Sequence, residues 1–333
     1  MTNLHENKEL FNDILLAAAQ PKKEGGEGGL GINMVMLEKD YWLTRALQLL
    51  AESRFAKLAV FKGGTSLSKA CGVGYRFSED IDIAIISDDN RTDNQTKKLI
   101  GSIDKVMSNG LEEVEMPNTR KFSKYRKVFY RYPYITNAQE SGSIQPGLIQ
   151  LEIVSFANPY PYRKRKLGCL LREFLLLKGR GDLTEQYGLT EFEINVLDLE
   201  RTAAEKIVSL IRHSLGNDYL SGLRSKIRHF YDLHYLLQNE VCKAYLESGE
   251  FVVDFNHLLA EDQARFKEPE DWQSRTVADS PLLRDFEAVW ASLRPIYEQE
   301  LVGLVFQPTI PDAADAAASF KTIAEMLQCE CRK

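Results

Sequence analysis

The run Lys62-Gly63-Gly64-Thr65-Ser66, followed after a short spacer by Ser78-Glu79-Asp80-Ile81-Asp82-Ile83, holds residues whose types and spacing could do chemistry. Asp80 and Asp82 alternate with Ile81, Ile83 and Ile85, which predicts a strand carrying both carboxylates on one face. Like charges so close repel unless a cation sits between them, and a divalent metal would serve. Glu152, within the alternating Leu148–Val154 run, can join them only if its own strand lies beside theirs. Three such carboxylates would hold one or two Mg²⁺ ions, which take oxygen ligands and bridge substrate phosphates. Two ions of this kind clamp the attacking and leaving oxygens of an in-line displacement. Gly63 and Gly64 would let backbone approach a triphosphate, and a helix beginning at Thr65 offers N–H groups to an anion. Ser66 adds a hydroxyl donor.

These residues need elements to hold them. Helical spacing runs from Met34 to Ser53, a short apolar strand from Lys57 to Phe61, and a helix starts at Thr65. Asp80 to Ile86 reads as a strand, Asn94 to Asn109 as a helix, and Arg120 to Tyr134 as strands. A brief strand at Ile194–Leu197 leads into a helix over Leu199–Leu215, and a second helix covers Leu223–Leu237. Residues 22–31 are glycine-rich and polar and read as a flexible loop. The chain from Val241 onward reads as helical, without a legible motif.

Bulk properties narrow the classes. No run of 18 apolar residues occurs, and Glu6, Glu9 and Asp13 leave no apolar signal core near the start, so neither a membrane span nor export is expected. The five cysteines are an odd, scattered set, and Cys329 and Cys331 lack zinc-knuckle spacing; a reducing cytoplasm is the expectation. A net charge of −6 argues against coating nucleic acid by overall attraction, but leaves room for a local basic face. One candidate carries Arg120, Lys121, Lys124, Arg126, Lys127 and Arg131 with no acid between them, interleaved with aromatics from Phe122 to Tyr134. Cations for phosphates and aromatic faces for unstacked bases suit a single-stranded RNA end. A second cluster is Arg163-Lys164-Arg165-Lys166. The plainer reading of each is a solvated strand face or loop.

The glycine turn, spacer and Asp-x-Asp strand resemble the signature of the polymerase-β-like nucleotidyltransferase superfamily. More narrowly, KGGTSLSK and RFSEDIDI resemble the AbiEii/AbiGii-type nucleotidyltransferase toxins, including their MenT-like relatives. The likeness extends to Glu38-Lys39-Asp40-Tyr41-Trp42, Leu151-Glu152-Ile153, Leu199–Lys206 and Arg228–Leu237, roughly residues 34–240. Ser66 stands where that family often has a small residue such as alanine. The resemblance implies that Asp80 and Asp82 are metal ligands, that Lys206 is the helix-borne lysine of the site, and that Asp232 is its later aspartate. Lys206 lies among small and apolar neighbours, where an ammonium needs a partner and a triphosphate would be one; otherwise it is a surface lysine beside Glu205. Asp232 could orient Lys206 or the base, or cap a buried arginine such as Arg228.

The expected fold is therefore α/β (α+β): a polymerase-β-like core with a mixed sheet, then a mainly helical half. The expected divisions are an N-terminal helix and loop (1–33), the nucleotidyltransferase core (34–160), a helical region completing the nucleotide site (161–240) and a helical region of unassigned role (241–333). The expected reaction moves a nucleoside monophosphate from an NTP to an acceptor hydroxyl. Asp80, Asp82 and Glu152 would bind Mg²⁺, Gly63, Gly64, Thr65 and Ser66 the triphosphate, and Lys206 would neutralise developing charge. Lys121, Lys124, Arg126, Lys127 and Arg131 would contact nucleic acid. The resemblance further implies the 3′ end of tRNA as acceptor, and a toxin of a type IV toxin–antitoxin or abortive-infection system with a cognate antitoxin. Transfer of AMP or phosphate to a protein, and a non-catalytic nucleotide-binding module, are the alternatives.

Overall fold

A computed structural model describes residues 2–23, 27–136, 144–156, 158–306 and 311–331. Part of the glycine-rich loop at 22–31 and the side chains of Cys329 and Cys331 thus fall outside the described residues. The chain forms two compact units. The first comprises Met1–Gly72 and Phe77–Leu197; the second comprises Val73–Arg76 and Asp198–Lys333.

The first unit is built on a mixed sheet. Its strands are β1 (Ala59–Lys62), β2 (Asp80–Ile85), β3 (Glu112–Val114), β4 (Arg120–Lys121), β5 (Tyr125–Arg131), β6 (Leu148–Val154), β7 (Tyr162–Leu167) and β8 (Phe192–Leu197). Their order is β3-β5-β6-β2-β1-β8-β7, with β4 paired to β5. β1 runs parallel to β8 and β2 parallel to β6, while β1 and β2 are antiparallel. Along β2 the alternation works as the sequence predicts: Ile81, Ile83 and Ile85 are fully buried, and Asp80 and Asp82 are half-buried on the other face.

Among the described residues, six α-helices accompany this sheet: α1 (Lys8–Ala19), α2 (Met34–Ala51), α3 (Gly63–Cys71), α4 (Asp93–Ser108), α5 (Leu170–Leu177) and α6 (Gly181–Gln186). Local chemistry sets their starts. Asn33 accepts a hydrogen bond from the Val35 N–H at 2.7 Å to open α2. Thr92 and Gln95 form a reciprocal capping box on α4, through bonds of 2.8 and 3.3 Å.

The second unit is helical: α7 (Leu199–Ser214), α8 (Tyr219–Arg224), α9 (Arg228–Gln238), α10 (Glu240–Leu246), α11 (Gly249–Arg265), α12 (Pro281–Arg284), α13 (Phe286–Val302) and α14 (Ala313–Cys331). Its core is aromatic. Phe230 of α9 lies 5.2 Å from Trp290 of α13 and 5.0 Å from Phe320 of α14, between ring centroids. The segment Val73–Arg76 joins this unit through a bridge from Arg76 to Val305 and a bond from the Phe306 N–H to the Tyr75 carbonyl. The single helix expected over Leu223–Leu237 is divided, because the chain turns at residues 225–227. Among the described residues no helix is long and apolar enough to cross a membrane.

Candidate active site

Gly63 begins α3 with φ of +79°, a conformation that favours glycine. A Cβ there would stand 2.0 Å from Asp82 Oδ2, so only glycine lets the helix start against that carboxylate. The strands hold the acids from below. Asp82 pairs with Lys62 on β1 and with Glu152 on β6, and Asp80 pairs with Gln150. In-register neighbours project to the same face, so Glu152 shares the face of Asp82. The condition placed on Glu152, that its strand lie beside theirs, is met.

Tyr125, on β5, reaches the same place. Burial first, then the charge of Glu152 and a hydrogen bond to it, then the charge of Asp82, push the Tyr125 phenol up. Among the described residues no cluster of three or more His, Cys, Asp or Glu side chains is close enough to hold a metal ion. What the chain does provide is a half-buried pair of hard oxygen donors on β2, with a third carboxylate on the adjoining strand. That donor chemistry suits Mg²⁺.

The hydroxyls of the glycine turn point inward. Thr65 Oγ1 donates to the Asp80 carbonyl, and Ser66 Oγ donates to the Gly63 carbonyl at 2.9 Å; both residues are buried. Thr65 therefore pins α3 to β2, while the Ser66 hydroxyl is spent within the first turn of α3 rather than left for a phosphate. An anion at this turn would be met by the backbone N–H groups at the start of α3.

Helix α2 supports the arrangement with three consecutive buried ionisable residues. Glu38 accepts bonds from the N–H groups of Ile135 and Thr136, at 2.8 and 3.1 Å, and from the Thr136 hydroxyl. Burial raises its carboxyl, against those hydrogen bonds. Lys39 bonds Glu79, the residue before Asp80, at 2.5 Å and the Gln145 carbonyl at 3.0 Å. Asp40 takes the Lys69 ammonium of α3 at 2.5 Å and the Leu170 N–H of α5 at 2.7 Å. Each residue fixes a different segment around the strand end. The sequence showed this triplet only as part of a resemblance; its positioning role comes from the fold.

In the second unit, Lys206 is 6 % exposed and donates to Asp232 Oδ2 at 2.7 Å. Asp232 also receives a two-pronged guanidinium: Arg76 Nε at 2.7 Å to one oxygen and Nη2 at 2.8 Å to the other. Burial opposes ionisation of Asp232, but the charges and hydrogen bonds of Arg76 and Lys206 prevail and hold its carboxyl well below the usual range. Asp232 thus both orients Lys206 and caps a buried arginine. That arginine is Arg76, whereas Arg228 lies 3.6 Å from Glu300. Lys206 has no other protein acceptor among the described residues, so two of its three N–H donors remain for an anion. His229 lies close by, with a buried Nδ1 that has no hydrogen-bond partner among the described residues. Burial and the Lys206 charge lower its pKa well below normal, keeping the ring neutral.

The basic stretch changes character in three dimensions. Lys121 pairs with Glu113, Lys124 with Asp93 at 2.8 Å, Arg126 with Asp104 at 2.5 Å, and Arg131 with Glu112 at 3.3 Å. Lys127 lies 5.9 Å from the Phe129 ring centroid. The acids missing between these cations in sequence arrive from α4 and β3.

A glycine turn against an Asp-x-Asp strand, on a mixed sheet followed by a helical unit, defines a nucleotidyltransferase. The comparisons agree. Residues 45–318 match the model of the nucleotidyl transferase AbiEii toxin, Type IV TA system, and the chain belongs to that family. The match runs well past residue 240, where legible motifs end. The fold is similar to that of MenT4, a nucleotidyltransferase toxin from Mycobacterium tuberculosis H37Rv, with a TM-score of 0.57 and 16% identity. That similarity covers 96% of this chain and 89% of the other. Among curated proteins none matches.

Proposed function

We propose that this enzyme transfers a nucleoside monophosphate from an NTP to a hydroxyl at the 3′ end of tRNA, with Mg²⁺, as the toxin of a type IV toxin–antitoxin or abortive-infection pair. The observation that carries it is the placement of Asp82 against Gly63 and beside Glu152. Asp80, Asp82 and Glu152 would hold Mg²⁺, which when bound offsets the charge of the phosphates. The backbone at Gly63, Gly64, Thr65 and Ser66 receives triphosphate oxygens. Lys206, oriented by Asp232, is the cation of the second unit that would meet an anionic group. The role is antiviral defence in the cytoplasm, restrained by a cognate antitoxin.

The test is incubation of the full chain with each α-labelled NTP and total RNA, with and without EDTA, followed by nuclease or protease digestion. Nuclease-sensitive label that needs divalent metal is expected. Protease-sensitive label would establish a protein acceptor instead. Asp82→Asn should fold normally and lose about a hundredfold or more in rate, since metal-borne charge stabilisation is worth several kcal/mol. Unchanged transfer by that variant would refute the metal assignment.

A further inference from the structure

The surface best built to receive a nucleic-acid backbone is β7, at the edge of the sheet. Register places it relative to the carboxylates. Ile83 pairs with Phe61, Phe61 with Val196, and Val196 with Arg163. Those four residues share the face opposite Asp82. Tyr162, Lys164 and Lys166, which alternate with Arg163, therefore share the face of Asp82 and Glu152. Three inter-strand steps separate β2 from β7, or about 14 Å at the usual strand spacing.

Lys164 and Lys166 are both exposed. Lys166 has no carboxylate at ion-pair distance among the described residues, and Lys164 meets only the exposed Glu193, at 3.6 Å. A solvent-exposed pair of that length neutralises little. At the head of the strand Tyr160 is 65 % exposed, its ring edge-on to Tyr162 at 6.4 Å. Cations without firm partners beside an exposed aromatic make a stacking platform for a single strand. Of the five contacts expected over Lys121–Arg131, on β4, β5 and the turn between them, four lie within ion-pair distance of acids, and Arg126 among them holds the buried Asp104. A row of charges on an edge strand also blocks edge-to-edge association. That role gives no reason for an exposed tyrosine at the strand head.

We propose that β7 is the acceptor surface: Lys164 and Lys166 contact phosphates of a single-stranded RNA end, and Tyr160 stacks on one of its bases. This rests on the nucleotidyltransferase reading given above and assigns the acceptor's place within it.

The experiment measures binding of a 5′-fluorescein single-stranded RNA of about twelve nucleotides to the full chain across a salt series. Four variants are compared: Lys164→Gln/Lys166→Gln, Tyr160→Ala, Lys124→Gln/Lys127→Gln, and the control Lys97→Gln/Lys98→Gln on α4. Label transfer from NTP to the same RNA is followed in parallel. The slope of log K against log salt should fall in magnitude by about 1.4 for the β7 double variant, at about 0.7 per phosphate contact, and stay unchanged in the control. Tyr160→Ala should weaken binding about tenfold with little change in slope. An unchanged slope for the β7 double variant, with transfer to RNA intact, overturns the surface and leaves the enzymatic reading standing. A slope that falls only with Lys124→Gln/Lys127→Gln returns the acceptor to β5. Wild-type label found on protein alone, without RNA binding, defeats both readings. If the β7 variant loses only its cognate protein partner in pull-down, β7 is a protein interface and the proposal fails.

Discussion

Gly63 is the residue on which the carboxylate site turns. Replacing it with alanine forces a positive φ, costing about 1–2 kcal/mol, and drives a methyl into Asp82. Gly63→Ala should therefore lower the melting temperature modestly and abolish transfer; wild-type kinetics would show that Asp82 can move without consequence. Arg76 offers a second test. Its removal leaves Asp232 with Lys206 alone, so Arg76→Gln should cost about 3 kcal/mol at neutral pH. The pH dependence has a definite sign. Asp232 is held below its unfolded value, so its ionisation stabilises above about pH 4 and that stability is lost as pH falls. With Arg76 gone the depression shrinks, and the acid-unfolding midpoint should move to higher pH. Circular dichroism during acid titration measures it. The shared face of Asp80 and Asp82 was legible from residue type and spacing, whereas Lys206 was given a role only through the family resemblance. Arg76 was not given a role, since its partner lies 156 positions away and no local pattern announces such a pair.

At the scale of elements, β2 and β6 could be read because one face of each is buried and the other is not. β7 could not, because Tyr162–Leu167 has four consecutive cations where alternation would be the signal. The ion pairs of β5 were equally hidden, their acids lying on α4 and β3. This alters what a mutation there should do. Arg126 is paired with Asp104, which is 4 % exposed and also accepts from Tyr130 at 2.7 Å. Arg126→Gln should destabilise the first unit by about 3 kcal/mol by leaving a buried carboxylate short of its cation. Urea unfolding monitors this; a loss of RNA affinity with unchanged stability would restore Arg126 as a surface contact.

Across the whole molecule, histidines set the response to mild acid. Four of the five, His5, His213, His229 and His234, have lowered pKa values, each chiefly through burial. A buried neutral histidine stays unprotonated in the fold while its unfolded counterpart takes a proton below about pH 6.5. Stability therefore drops as pH falls through that value. His213, lowered to about 4, should alone account for about 2 kcal/mol between pH 6.5 and 5. The urea midpoint of the second unit should follow this course, and His213→Phe should flatten it. A profile that does not change from pH 7 to 5 would mean that these rings protonate in place.

The interleaving of the two units also imposes an order in time. Val73–Arg76 belongs with helices that the ribosome makes much later, since Asp232 follows Arg76 by 156 residues. At about 5–20 residues per second, Arg76 waits roughly 8–30 s for its carboxylate. Asp80 and Asp82 are synthesised near the start of that interval, and the Lys206–Asp232–Arg76 cluster can form only after its end. Completion of the sheet at β8 therefore does not complete that cluster, which waits until α9 has been made.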